Sequence, residues 1–482
     1  MRARVRGVLF ASFGAVFALA PSLARADEPV AAAEPRLLSE TAEITSVVDA
    51  FDKDDMFDLH LTLGFSQRWK TANIRRETSI FQPGLSTGGF VARSENVASY
   101  SQTLSTLNVQ ADVGLFRDLA FTLRLPVILG DARDLTPLDG SDKNPERFQD
   151  PFGATLFSPT TKSPTRSGID YIALGLNYAI FNQQRDPSKP TWVLGSELRL
   201  GVGAPLRACI ENPAPGVAKC ADPSDPTKAG EPGISRAMTS IDVHTVFSRR
   251  FGYVEPYSGF SFLFETPQGR GDFGASADFQ GSLLNRPPIQ GTFMMGMEVI
   301  PWEQREQFQR VVVDLRARGT YFSPGREYSE LFDALGTSQA PSLRNPNPGA
   351  YKVGATPDRS VVDPNAPKVY FAGITDQQAY AQFGFNAAIT WQAGEYVKFT
   401  AGTAVTFVQS HIITAADACN PDFKNKPELS GPCRSAPSAA NSQTITGIPN
   451  PNHRPVIDLP GRRYSVDDSK LFDLYLSGTV MF

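Results

Sequence analysis

Four cysteines, four histidines and a series of charges at alternate positions are the residues of this chain with chemical potential. Cys209 and Cys220 share one proline- and glycine-rich stretch, and Cys419 and Cys433 share another. That spacing predicts two local disulfides, Cys209–Cys220 and Cys419–Cys433, formed in an oxidising compartment. Each would close a short loop and stiffen it by roughly 2–3 kcal/mol on chain-entropy grounds. A zinc site would need a CxxC pair or a close pair of histidines, and the sequence has neither. His60, His244, His411 and His453 stand outside any serine–histidine motif, so a hydrolase is not expected. Asp52, Asp54 and Asp55 lack the loop spacing of a calcium site, and a match as short as Arg270-Gly271-Asp272 arises by chance. No cofactor and no metal are implied.

The charges are the richer signal. Arg68, Asp112, Arg124, Glu197, Arg199, Asp242, His244, Glu255, Glu298, Asp314, Arg316, Arg318, Lys398 and Asp473 each sit in a stretch where polar and apolar residues alternate. A period of two puts the two classes on opposite faces of a β-strand. If the apolar faces meet lipid, these charges line a lumen. Two readings then stand side by side. Rings of charge can filter solutes along a permeation path, or the charges can pair across the interior and hold a narrow barrel together.

Alternation and turn signals give twelve strands: 57–70, 101–115, 119–129, 170–181, 191–203, 237–250, 252–265, 288–300, 310–323, 376–391, 395–410 and 470–482. Connections alternate short and long, the long ones being 71–100, 130–169, 204–236, 266–287, 324–375 and 411–469. Sorting of this kind belongs to transmembrane barrels, with tight turns on one side and long loops on the other. The tryptophans agree. Trp192, Trp302 and Trp391 fall at strand ends on the short-turn side and Trp69 on the long-loop side, as an aromatic girdle would.

Export is expected as well. Arg2, Arg4 and Arg6, the apolar run Val8 to Ala20 and the small-x-small site Ala24-Arg25-Ala26 read as a signal peptide over 1–26. Beyond it no run of 18 apolar residues occurs, so no helix is expected to span a membrane. A mean hydropathy of −0.22 suits a barrel with long loops. The net charge of −4 points to no nucleic acid and no polybasic membrane patch.

Leu474, Leu476, Val480 and Phe482 alternate with Asp473, Tyr475, Ser477 and Thr479. A strand ending in an aromatic resembles the C-terminal signal of bacterial outer-membrane barrels, although Gly478 falls one place after the usual glycine. That resemblance implies the barrel-assembly machinery as a partner through Phe482. The stretch Ser167 to Ala179, followed by Leu200-Gly201-Val202-Gly203-Ala204-Pro205, resembles the repeated unit of outer-membrane transporters linked to phenol and hydrocarbon degradation. This chain has Gly168-Ile169-Asp170 and Gly201-Val202-Gly203 where that family has Gly-x-Gly-Asp and Pro-Thr-Gly, so no substrate is carried over.

The expected fold is all-β: a transmembrane antiparallel up-and-down β-barrel of about twelve strands with long extracellular loops. Residues 1–26 form the signal peptide, 27–56 a periplasmic segment and 57–482 the barrel, with both termini periplasmic and outer-membrane lipid around it. Leu37, Ile44, Val47, Val48 and Phe51 recur at helical spacing and suit a small plug, and 326–336 reads as a short helix in an outer loop. Closure is obligatory in hydrocarbon, where every backbone N–H and C=O must be paired, so the last strand should pair with 57–70. Passive passage of small solutes is the expected function. The alternatives are a surface binding or adhesion protein anchored by the barrel and, further off, a lipid hydrolase.

Overall fold

The structure is a computed structural model describing residues 42–50, 58–81, 90–151, 153–213, 217–220, 230–273, 286–344, 371–416 and 453–482. Residues 1–26, the pair Cys419 and Cys433, and Asp52, Asp54 and Asp55 lie outside the described residues. Twelve long strands build the wall: β1 Leu59–Phe81, β2 Phe90–Phe116, β3 Leu119–Pro137, β4 Tyr171–Phe181, β5 Thr191–Gly201 and β6 Met238–Ser248, then β7 Val254–Pro267, β8 Gln290–Gln304, β9 Gln309–Phe322, β10 Tyr380–Gly394, β11 Val397–Val408 and β12 Tyr464–Met481. Each pairs antiparallel with its chain neighbours. β12 also pairs with β1, from His60 against Met481 to Arg76 against Tyr464, and Leu59 and Phe482 exchange backbone hydrogen bonds. The sheet is a closed ring of twelve.

Outward positions carry the apolar residues. Leu63, Phe65, Phe262, Phe383, Phe385, Leu474 and Leu476 are all exposed. Leaving such a side chain in water forgoes roughly 1.5–3 kcal/mol of burial, and a continuous belt of them is tolerable only against lipid. At the short-turn side Trp192 stacks on Phe247 at 5.2 Å and Trp391 lies 6.0 Å from Phe399. Trp302 is exposed at the end of β8, and Trp69 stacks on Phe472 at 5.6 Å on the other side.

Four strands run well beyond their predicted ends on the long-loop side. β1 reaches Phe81 where 57–70 was expected, β2 begins at Phe90, β3 continues to Pro137 and β12 begins at Tyr464. Much of the expected loop 71–100 is therefore a hairpin extension. The reason is a change of solvent. Within the belt β1 turns Leu61, Leu63 and Phe65 outward and Ser66, Arg68 and Lys70 inward. Above it, without a change of phase, the buried face becomes Ala72 and Ile74 while Arg75 faces out. A search for apolar residues on one constant face stops where lipid gives way to water.

These extensions carry a lid. Ala72, Ile74, Val97, Tyr100, Leu135 and Tyr464 pack with the loop residues Phe148, Leu156, Phe157, Leu331, Leu335, Leu343, Val456 and Ile457. A second cluster joins Leu206, Ala208, Met238, Phe273, Phe332, Ala372 and Ile374. Only the end of the predicted helix at 326–336 is helical: α1 spans Phe332–Gly336, and Gly325–Glu327 instead pairs with Thr375–Gln377 as a short ribbon. All five residues of α1 are buried. The Cys209–Cys220 disulfide lies beside it.

Candidate functional site

Inside the ring the charged residues form tiers. At the short-turn end the tier is completed by the N-terminal segment. Of the stretch with helical apolar spacing, residues 42–50 make a turn at 43–45 and no helix, and cross the lumen mouth, while Leu37 and Phe51 lie outside the described residues. Glu43 receives a hydrogen bond from Lys398 at 2.5 Å and lies 3.5 Å from Arg310. Its backbone N–H donates to Glu298 at 2.9 Å. The Thr45 hydroxyl sits 2.8 Å from that of Ser248, which donates to Glu255 at 2.6 Å. On the far wall the carbonyl of Asp49 passes so close to Gly114 that any Cβ there would lie 1.8 Å from it. Asp49 also bridges to Arg185 in the turn after β4 at 3.0 Å. The segment touches β2, β6, β7, β8, β9 and β11 and so lies across the mouth as a plug.

The middle tier is a pairing network. Glu197 binds Arg124 at 2.5 Å and Arg199 at 2.6 Å, and Arg199 lies 3.9 Å from Asp242. The His244 ring sits between Asp242 (Nδ1, 3.1 Å) and Asn177 (Nε2, 3.0 Å), so neither nitrogen faces a serine. Asp112 accepts from Thr122 at 2.6 Å and from Gln110 at 2.9 Å. Tyr257 donates to Asp314, which also holds Arg316 at 2.9 Å. Close packing over small residues makes this possible: the Tyr257 and Tyr475 rings lie over Gly296 and Gly402, where a Cβ would come within 2.4 Å of the hydroxyl oxygen.

On the long-loop side of these pairs the lumen opens into a chamber of about 610 Å³. Arg68 is bound to Asp473 at 2.6 Å on its wall. Arg316 and Arg318 line it from β9, Tyr171 and Tyr475 contribute rings, and Leu104, Pro126, Ile128 and Met294 give apolar surface. Two residues above Arg68, Lys70 binds Glu330 of the lid at 2.7 Å. Burial alone would raise the Glu330 carboxyl, but the adjoining ammonium outweighs it and holds the group below the ordinary range.

Of the fourteen charges singled out from the sequence, Arg68, Arg316, Arg318 and Asp473 meet at the chamber. Arg124, Glu197, Arg199, Asp242 and His244 form the network on β3, β5 and β6, and Asp112 on β2 joins it through Thr122 and Asn177. Asp314 holds Arg316 from one step along β9. Glu255, Glu298 and Lys398 hold the plug. Sequence reasoning passed over Glu43, Thr45, Arg310, Tyr257, Asn177 and Thr406. Tyr257 was legible, being two residues from Glu255 on one strand. Glu43 carried no such signal, because it lies on no strand and its partners are hundreds of residues away.

The Arg270-Gly271-Asp272 stretch is not presented as an adhesion loop: Asp272 is buried, 3.5 Å from Arg207, and Arg270 donates to the Gly201 carbonyl at 2.6 Å. Among the described residues no cluster of histidine, cysteine and carboxylate side chains is arranged to hold a metal.

No protein-family model and no curated protein matches the chain. Solved structures do superpose loosely. An outer-membrane channel of Pseudomonas putida F1 aligns over 87% of this chain and 96% of its own at 8% identity and a TM-score of 0.32. A Pseudomonas aeruginosa FadL homologue aligns over 88% and 90% at 10% identity and 0.30. The outer-membrane protease OmpT of Escherichia coli aligns over 88% and 96% at 7% identity and 0.25. Scores of this size do not bear on what the present barrel carries.

Proposed function

We propose that this chain is an outer-membrane channel that passes a small solute passively through its lumen, in steps gated by the plug. The observation that supports this reading most is the chamber of about 610 Å³ lined by the inner wall of a lipid-facing barrel, with residues 42–50 across the lumen on its short-turn side. A barrel that served only as an anchor would have no use for such a space. Charges of both signs, mostly paired, suit a path that selects by fit more than by net charge. The plug is held by side-chain ion pairs and hydrogen bonds to the wall, contacts that can exchange for water and reform.

Planar-bilayer recording tests the reading. The full chain should give brief, small current steps, and a chain lacking residues 42–50 should give steady, larger ones. A correctly folded truncated barrel whose current is no larger or steadier than that of the full chain would overturn it.

A further inference from the structure

We propose that the chamber binds a small organic monoanion, a carboxylate carried on an apolar body, with Arg318 as the anion-binding group. The inference rests on the channel reading and names the substrate class of that same lumen. Two of the chamber's three arginines already have acids: Arg68 binds Asp473, and Arg316 binds Asp314. Arg318 differs. Among the described residues its guanidinium makes a single hydrogen bond, to the neutral Thr406 hydroxyl at 3.1 Å, and no carboxylate stands within ion-pair distance. A guanidinium carries five N–H donors in a planar fork suited to a carboxylate. Most of that fork is left for whatever enters the chamber.

The position is built. Arg318 on β9 faces Gly384 on β10, which faces Thr406 on β11. A Cβ on Gly384 would come within 2.8 Å of the Arg318 Nε and 3.0 Å of the Thr406 hydroxyl oxygen. The missing side chain is the groove along which Arg318 lies. Across the chamber the wall changes character. In a ring of twelve, β3 stands six strands from β9 and so directly opposite it, and there Pro126 and Ile128 face the lumen beside Leu104 of β2. A cation on one wall and the apolar patch Leu104, Pro126 and Ile128 on the other, bordered by Asp170 and Tyr171, match a ligand charged at one end and apolar at the other. An inorganic anion would waste the second wall, and a neutral hydrocarbon would leave the fork desolvated without a partner.

Calorimetric titration of the full chain in detergent with benzoate is the test, with benzamide, acetate and sulfate as comparison ligands. Benzoate should bind saturably at one site, and Arg318→Gln should weaken it by about tenfold or more, the cost of losing a charge-assisted bidentate contact. Gly384→Val, which keeps the charge but fills its groove, should weaken it too. Heat-modifiable gel mobility confirms that both variants are folded. Equal binding of benzamide would overturn the anion assignment, and equal binding of acetate or sulfate would overturn the apolar wall. Undiminished benzoate binding by both folded variants would overturn the role of Arg318. A plug-deleted chain that conducts but does not bind benzoate would refute this inference and leave the channel standing, whereas one that binds but stays silent would do the reverse.

Discussion

Arg166 and Asp333 hold the lid together across 167 residues of sequence. Asp333, on α1, accepts hydrogen bonds from Arg166 at 2.5 Å, from the Ser163 hydroxyl at 2.7 Å and from the Cys209 N–H at 2.9 Å. The Arg166 side chain is fully enclosed. Removing one member of such a pair strands a buried charge, so Asp333→Ala should destabilise the lid by about 3–5 kcal/mol. Limited proteolysis of intact cells should show new cleavage in the outer loops while the barrel keeps its heat-modifiable mobility. Converting both residues to apolar ones of similar volume should restore much of the protection. Asp458 supplies a second residue-level prediction. Burial pushes its carboxyl up to about 8, with Asp376 adding to the rise, although the N–H groups of Arg454 and Ala416 donate to it. Arg454 and His453 also lie beside it. The folded lid thus keeps a proton that the unfolded chain releases near pH 4. Between those limits the unfolded state binds fewer protons, so lid stability falls as pH rises from about 4 to about 8 and is level above. Protease protection of the loops should decline over that window, and Asp458→Asn should flatten the decline.

The elements differ in how plainly the sequence announces them. Strands within the belt were legible because lipid outside and polar lumen inside impose the same alternation on every one: Leu59 to Phe65 and Leu474 to Phe482 needed no other clue. The upper halves of β1, β2, β3 and β12 were not: above the belt Ile74 turns inward on β1, where apolar residues had faced out, and on β12 an irregularity at Asp468 (φ 49°) carries Tyr464 and Val466 from the outward to the inward face. The helix read over 326–336 forms only at Phe332–Gly336, because Gly325–Glu327 is drawn into a ribbon with Thr375–Gln377, a partner about fifty residues away. The candidate site divides in the same way. Arg68, Arg316, Arg318 and Asp473 were marked by strand phase, whereas the plug's hold on the wall came from Glu43 and Thr45, whose partners only the closed ring brings near. At this scale the plug's ionic contacts predict that Lys398→Gln, which removes the tightest of them, raises the frequency of current steps severalfold without changing their size. An unchanged frequency would mean that Glu43 does not hold the segment.

For the whole molecule the governing fact is the inversion of inside and outside. The exterior is hydrocarbon-like and the interior charged, so a charge placed on the lipid face should act through the bilayer. Leu476 lies midway along the outward row from Phe472 to Val480 and is 53% exposed. Leu476→Arg should cost about 2–4 kcal/mol of folding stability in vesicles, read from reversible denaturant titration, while Ser477→Arg on the inward face should cost less. Closure by β1 and β12 leaves the lumen as the enclosed space, and the plug lies across it.

A disulfide between residues 45 and 248 tests that arrangement most directly. The hydroxyls of Thr45 and Ser248 are 2.8 Å apart, so cysteines at the two sites lie within bonding reach. The account predicts that the Thr45→Cys, Ser248→Cys chain is silent in a planar bilayer while oxidised and gives brief, small current steps once reductant is added, with the unsubstituted chain unaffected by the same addition. Equal current in both redox states, from a protein shown to be cross-linked, would contradict it.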